Sequence, residues 1–135
     1  MILKNCYTLD FSKIREDIFY WEDDMYQGWI GVDLDGTLAY YDQWRGADHI
    51  GEPVPLMLQR VKDWLEEKKH VKIVTARRAL DYEPGIRVIE DWCIKHLGVV
   101  LEITDKKDFN MIELWDDRAV RVEQNTGIVI TKEHR

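Results

Sequence analysis

Residues 29–38, with the sequence WIGVDLDGTL, decide the fold of this chain. Apolar residues lead into two aspartates one residue apart, and Gly36-Thr37 follows at once, so the pattern predicts a buried strand that ends in an abrupt turn. Side chains two apart on a strand point the same way, so Asp33 and Asp35 project together only if strand geometry holds through both. Gly36 indicates that it breaks there. We therefore expect the strand's end to present Asp33 and the turn to aim Asp35.

The size and charge of the chain narrow the classes of function. A length of 135 residues suits one domain, which we divide into an N-terminal helical extension, 1–28, and a core, 29–135. A net charge of -7 argues against duplex nucleic acid as a partner but leaves a small phosphorylated ligand open. The chain lacks both a membrane-length apolar run and the basic start of a signal peptide. We expect a cytoplasmic protein without a membrane partner.

Strand and helix patterns alternate along the chain. The apolar spacing from Asp10 to Met25 predicts an amphipathic helix, and two further helices are expected from Pro55 to about Lys69 and from Ile86 to Leu97. Strands are predicted at 29–34, 71–75, 99–104 and 111–115, with two short ones at 120–122 and 128–130. This alternation predicts βαβ units, an α/β fold and a mainly parallel sheet with helices on both faces.

Polar residues follow several of the predicted strands. Ligands of parallel sheets gather beyond the carboxyl ends of the strands, so these residues should lie near one another although they are distant in sequence. The candidate site residues are Asp33, Asp35, Thr75, Lys107, Asp116 and Asp117.

Converging carboxylates repel one another, and a hard divalent cation relieves that repulsion. Mg²⁺ takes one or two carboxylates together with water and phosphate oxygens, whereas Ca²⁺ needs more protein oxygens than the pattern offers. Cysteine and histidine are missing from this set, which disfavours zinc. The sequence therefore predicts a Mg²⁺ site.

With Mg²⁺ bound, each residue type suits one role in phosphoryl transfer. Asp33 can attack the phosphoryl group, and Asp35 can protonate the leaving oxygen and then activate water. Thr75 and the neighbouring backbone N–H group of Ala76 can bind phosphoryl oxygens, and Lys107 can offset the developing charge. Arg77 can bind an anionic part of the substrate or form a surface salt bridge, and both interpretations stay open here.

The order of these motifs resembles the haloacid dehalogenase (HAD) superfamily of phosphohydrolases. The resemblance rests on Asp33-Leu34-Asp35-Gly36-Thr37, Thr75 after a strand, a lysine, and Asp116-Asp117 after another strand. It implies a three-layer Rossmann-like core, an aspartyl-phosphate intermediate, and Mg²⁺ held by Asp33, the backbone carbonyl of Asp35, and Asp116 or Asp117. Residues 47–53, 75–77, 107–109 and 114–119 also resemble a small subgroup of bacterial and phage HAD-like proteins, a match that says little about substrate.

Two features depart from the family pattern. Lys106 competes with Lys107 for the lysine role of the family pattern, and we favour Lys107 because it adjoins Asp108-Phe109. The stretch between Leu38 and Pro55 has room for a flap but not for a domain-sized cap. The site should therefore be open, unless residues 1–28 or the second subunit of a homodimer cover it.

The sequence thus favours a Mg²⁺-dependent phosphomonoesterase acting on a nucleotide, another small phosphorylated metabolite or a nucleic-acid end. One alternative is a HAD-like binding or scaffold protein that keeps the motifs with little turnover. A receiver-like phosphoacceptor domain uses similar residues, but there Thr and Lys come late, whereas here Thr75 and Lys107 precede Asp116-Asp117. The aromatic residues of the flap, Tyr40, Tyr41 and Trp44, either pack the flap or stack on a base or sugar.

Overall fold

A computed structural model describes residues 27–130 and contains four strands, two α-helices and a short 3-10 helix. The predicted helix between Asp10 and Met25 lies outside these residues. In chain order the elements are β1 (Trp29–Val32), α1 (Pro55–Glu66), β2 (His70–Val74), the 3-10 helix (Ala76–Leu80), α2 (Glu83–Leu97), β3 (Glu102–Thr104) and β4 (Met111–Trp115).

The four strands form one sheet with the order β3-β2-β1-β4, and every pair of neighbours is parallel. The predicted α/β class is confirmed. β1 is central and fully buried, as the apolar run at its start predicts. Because the strands are parallel, the residues that follow β1, β2 and β4 emerge at the same edge of the sheet.

Both α-helices pack on one face of this sheet. Val61 of α1 and Ile89 of α2 belong to a single buried cluster with Val32 and Ile73 from the two neighbouring strands. The Trp64 ring of α1 reaches as far as Trp115 at the end of β4, with a centroid distance of 5.2 Å. The apolar faces predicted for the two helices therefore pack in the core.

The other face of the sheet is partly polar. The Lys72 ammonium lies 4.2 Å from the centroid of the Trp29 ring, and the Trp29 indole donates a 2.9 Å hydrogen bond to Asp108. Within residues 27–130 no helix covers this face, so the described part of the chain shows two layers of the three that were expected.

Several element boundaries differ from the predictions. The strand predicted at 99–104 is only Glu102–Thr104, because Gly98 ends α2 in the left-handed conformation (φ 81°) and Val99 and Val100 remain half-exposed. The prediction of two short strands at 120–122 and 128–130 is wrong as well. These segments form only an isolated antiparallel bridge between Val122 and Val129, on either side of a turn.

Each of the two helices differs from its prediction by about one turn, α1 at its end and α2 at its start. α1 begins at Pro55 as predicted but ends at Glu66, since Lys68 adopts a positive φ of 66° that a helix cannot contain. α2 begins at Glu83, ahead of the expected Ile86, because Pro84 fits the first turn of a helix.

The segment 36–54, called the flap below, is a loop of the size expected for a flap and is too small for a domain-sized cap. It contains no helix and only single-residue bridges, one of which joins Ala39 to Pro53. Leu38 is fully buried and anchors the start of the flap in the core. Among the described residues, no helix is long and apolar enough to cross a membrane.

Candidate active site

The strand ends place three aspartates together. One carboxylate oxygen from each of Asp33, Asp116 and Asp117 lies within 4.8 Å of the others, and we call this group the acidic trio. The Asp33 backbone N–H donates to the Trp115 carbonyl at 2.9 Å, so the β1–β4 pairing continues to the point where the carboxylates begin. The register of two parallel strands therefore brings the trio together.

The Asp33 carboxyl group is the most perturbed acid of the site. Burial raises its pKa from 3.8 to about 7, helped by a hydrogen bond with Asp117 and by the negative charge of Asp116. The backbone N–H of Leu34 donates to Asp33 Oδ1 at 2.9 Å and opposes this increase. Without a cation, Asp33 therefore retains its proton close to neutral pH.

The turn after β1 fixes the position of Asp117. The Thr37 hydroxyl donates to Asp117 Oδ1 at 2.9 Å and accepts the Asp117 backbone N–H at 3.0 Å. Gly36 has a φ of +94°, and a Cβ atom there would lie 2.7 Å from Asp117 Oδ2. The sequence identified Gly36-Thr37 only as a turn, and no local signal indicates a partner 80 positions away.

Asp35 lies apart from the acidic trio and forms a buried ion pair. Arg77 Nε donates to Asp35 Oδ2 at 2.7 Å, and Arg77 Nη2 donates to Oδ1 at 3.0 Å. Only 7% of the Arg77 side chain and 19% of the Asp35 side chain are exposed, so this is an interior pair rather than a surface salt bridge. The Asp35 carboxylate is not part of the acidic trio, and the metal role expected of this residue concerns its backbone carbonyl.

Arg77 also binds the flap. Its Nη2 donates to the His49 carbonyl at 2.8 Å, and its guanidinium lies 4.9 Å from the centroid of the Trp44 ring. One side chain thus joins the end of β2 to the turn after β1 and to two points of the flap.

Thr75 lies directly after β2 and is buried, with 3% of its surface exposed. Its hydroxyl accepts the backbone N–H of Arg77 at 3.1 Å and so caps the 3-10 helix. Ala76 follows in the same turn. Both residues line the cleft described next.

A cleft of about 580 Å³ opens at this edge of the sheet. Lysine is not among the residues that line it. Lys106 instead lies 3.1 Å from Asp105, and Lys107 is exposed on the segment between β3 and β4, so the catalytic role of Lys107 stays a prediction. The residues that line the cleft are Asp33, Asp35, Tyr41, Trp44, Thr75, Ala76, Arg77, Leu80, Asp117 and Arg118.

Arg118 is a cleft residue to which the sequence analysis assigned no role. Its backbone N–H donates to Asp116 Oδ1 at 2.7 Å, which fixes the turn after β4. Its position directly after Asp116-Asp117 was the signal that could have identified it, since a cation there lies next to the predicted metal ligands.

A second concavity, of about 680 Å³, lies beside β2 and β3 and is lined in part by Glu83, Glu90 and Glu102. In residues 27–130, only the acidic trio brings three potential metal ligands close enough to share one ion. The cleft beside the trio is therefore the stronger candidate for an active site. Comparison of the chain with protein-family models, curated proteins and solved structures finds no match, so the site itself must support any functional conclusion.

Proposed function

We propose that this protein is a HAD-type phosphomonoesterase that uses Mg²⁺ and a three-layer HAD core. The observation that carries the proposal is the acidic trio at the carboxyl edge of a parallel sheet, with Asp33 directly after the central strand. Mg²⁺ sites of phosphoryl-transfer enzymes combine one or two carboxylates with phosphate oxygens in this way.

The chemistry of the trio fits a hard divalent cation. Three carboxylates meet within 4.8 Å, and burial, together with the neighbouring Asp117 and Asp116, raises the pKa of Asp33 to about 7. Asp33 and either Asp116 or Asp117 would hold the ion, since one carboxylate oxygen of each lies within 4.8 Å of the others. When bound, Mg²⁺ would neutralise this charge and that of the phosphoryl oxygens.

Asp33 is the proposed nucleophile. One of its carboxylate oxygens forms a bond to phosphorus while the ester P–O bond breaks, and the leaving oxygen takes a proton from Asp35. A water molecule then gives its proton back to Asp35 and attacks phosphorus. The P–O bond to Asp33 breaks, which restores the carboxylate and releases phosphate.

The Asp35–Arg77 pair places a condition on this sequence of steps. Both Asp35 oxygens accept hydrogen bonds from Arg77, so Asp35 must exchange at least one of them before it can carry a proton to the leaving oxygen. Arg77 is in turn bound to the flap. Movement of the flap over a bound substrate would provide that exchange.

The test is phosphate release from a panel of phosphomonoesters with Mg²⁺ for the wild type, Asp33→Asn and Asp91→Asn. Removal of the nucleophile should lower turnover by at least about 1,000-fold. Asp91 is an exposed residue of α2 that does not line the cleft, so Asp91→Asn should match the wild type. Equal rates for Asp33→Asn and the wild type, or no phosphate release from any substrate, would contradict the proposal.

A HAD-like binding protein with little turnover is the second candidate. The bidentate Asp35–Arg77 pair favours it, because that pair occupies the proposed acid, and so does the position of Lys107 outside the set of cleft residues. Tight binding of a partner that survives Asp33→Ala, in a protein without phosphatase activity, would support this candidate instead.

A further inference from the structure

The outer wall of the cleft is apolar and largely exposed. Tyr41, Trp44 and Leu80 line it, and each leaves about half of its surface open, with exposed fractions of 48%, 51% and 55%. They come from two segments, the flap and the 3-10 helix. Three large side chains that are half-exposed in one cleft indicate a surface for an apolar, flat group rather than part of the core.

Trp44 is held on a rigid support. The Arg77 guanidinium lies over its ring at 4.9 Å, and that guanidinium is itself fixed by two hydrogen bonds to Asp35 and one to the His49 carbonyl. A ring supported by a buried cation loses little freedom when another ring stacks on its exposed surface.

The cleft also carries a positive group next to the trio. Within residues 27–130 the Arg118 guanidinium makes no ion pair, although Arg118 lines the cleft. A ligand that suits the whole cleft therefore has an anionic end, for Arg118 and for a cation that the trio would hold, and a flat, apolar end for Trp44 and Tyr41.

We infer that the substrate of the proposed phosphatase is a nucleoside monophosphate, whose base stacks on Trp44 and Tyr41 while its phosphate meets Asp33; this inference rests on the proposed function. A volume of about 580 Å³ is in the range of small-molecule sites. The net charge of -7 argues against duplex nucleic acid, because a phosphate backbone is bound by clustered Lys and Arg.

The experiment compares AMP with ribose 5-phosphate, which has the sugar and phosphate but no base, on the wild type, Trp44→Ala, Trp44→Phe and Tyr40→Ala. Stacking on an aromatic ring predicts that Trp44→Ala lowers the AMP-to-ribose 5-phosphate ratio of kcat/KM by about 5- to 150-fold. Trp44→Phe should keep most of the ratio. Tyr40→Ala is the matched control, since Tyr40 is an equally exposed aromatic residue of the flap, at 59%, that does not line the cleft.

A ratio that Trp44→Ala leaves unchanged would overturn the inference, because loss of flap packing would affect both substrates equally. A terminally phosphorylated oligonucleotide that is turned over at least tenfold better than AMP would overturn it in favour of a nucleic-acid end. Adenosine binding, measured by calorimetry, separates the two proposals. If the wild type binds adenosine and Trp44→Ala does not, the base site stands even when no phosphate is released, and if neither binds it, the base site is wrong even in an active phosphatase.

Discussion

The protonation of Asp33 links the acidic trio to both folding and metal binding. In the metal-free protein its pKa is about 7, chiefly because the carboxyl group is buried, and in addition because Asp117 and Asp116 lie beside it. The protonated form is therefore favoured by the folded state relative to the unfolded chain, where the pKa is near 3.8. A cation and a proton compete for the same oxygen atoms.

In the metal-free protein, the contribution of Asp33 to stability depends on pH. Because the folded pKa of Asp33 is raised, its contribution to stability is complete below pH 3.8 and is lost as the pH increases to about 7. In EDTA, the melting temperature of the wild type relative to Asp33→Asn should therefore decrease between pH 5.5 and pH 7.5. A difference in melting temperature between the two proteins that does not change with pH would contradict this account.

The affinity of the wild type for Mg²⁺ should increase by about tenfold per pH unit below pH 7, because one proton must leave Asp33 when the ion binds.

At the scale of elements, the turn after β1 and the turn after β4 form one unit. Thr37 binds both the backbone and the carboxylate of Asp117, and Gly36 leaves the space that this carboxylate occupies. The turns that follow these two neighbouring strands thus fix the position of Asp117, a candidate metal ligand.

Gly36→Ala tests this unit. The positive φ of Gly36 imposes a backbone cost of about 1–2 kcal/mol on alanine, and the new Cβ would also lie 2.7 Å from Asp117 Oδ2 and displace that carboxylate. We expect Gly36→Ala to bind Mg²⁺ at least about tenfold more weakly than the wild type. The increase in melting temperature on adding Mg²⁺ should therefore be smaller for this variant.

Gly127→Ala is the matched control for Gly36→Ala. Gly127 also has a positive φ, +78°, but a Cβ atom there meets nothing within 4 Å. It should show the backbone cost and keep the full shift by Mg²⁺. An equal Mg²⁺ shift in both variants would show that Gly36 does not position Asp117.

At the scale of the whole molecule, Arg77 joins three parts of the chain that are distant in sequence. It binds Asp35 after β1, the His49 carbonyl in the flap and the Trp44 ring from its own place after β2. Because the side chain is only 7% exposed, its loss would leave Asp35 as a largely buried and unpaired charge.

Arg77→Met should therefore lower the free energy of unfolding by about 3–5 kcal/mol and expose the flap to proteolysis. Arg78→Met is the control, because Arg78 is 37% exposed and pairs with Glu83 only at 3.5 Å, so its change should stay within about 0.5 kcal/mol. Urea unfolding measures the free energy of unfolding. Limited proteolysis measures the exposure of the flap, with a protease that cleaves at aromatic residues so that the loss of an arginine does not remove a cleavage site. Equal stability of the two variants would show that Arg77 does not hold the flap.

The sequence by itself determined the parallel sheet and the edge at which the acidic trio lies. Hydrophobic periodicity reports which side of an element is buried, and alternation of strands with helices restricts the connections to crossovers. Asp33 and Asp116-Asp117 follow β1 and β4 directly, so their convergence required only the correct order of elements. The start of β3 was predicted three residues too early because β-branched Val99 and Val100 favour a strand, while the left-handed Gly98 leaves them half-exposed.

Only the tertiary structure decided how the side chains pair within the site. The Asp35–Arg77 ion pair, the Thr37–Asp117 hydrogen bonds and the place of Arg118 in the cleft join segments that no periodic pattern relates. Whether a side chain bonds to its neighbour or to a residue far along the chain depends on turn angles and on distances of a few ångströms. Periodicity averages over such details, so it predicts where the site is but not which groups in it are already engaged.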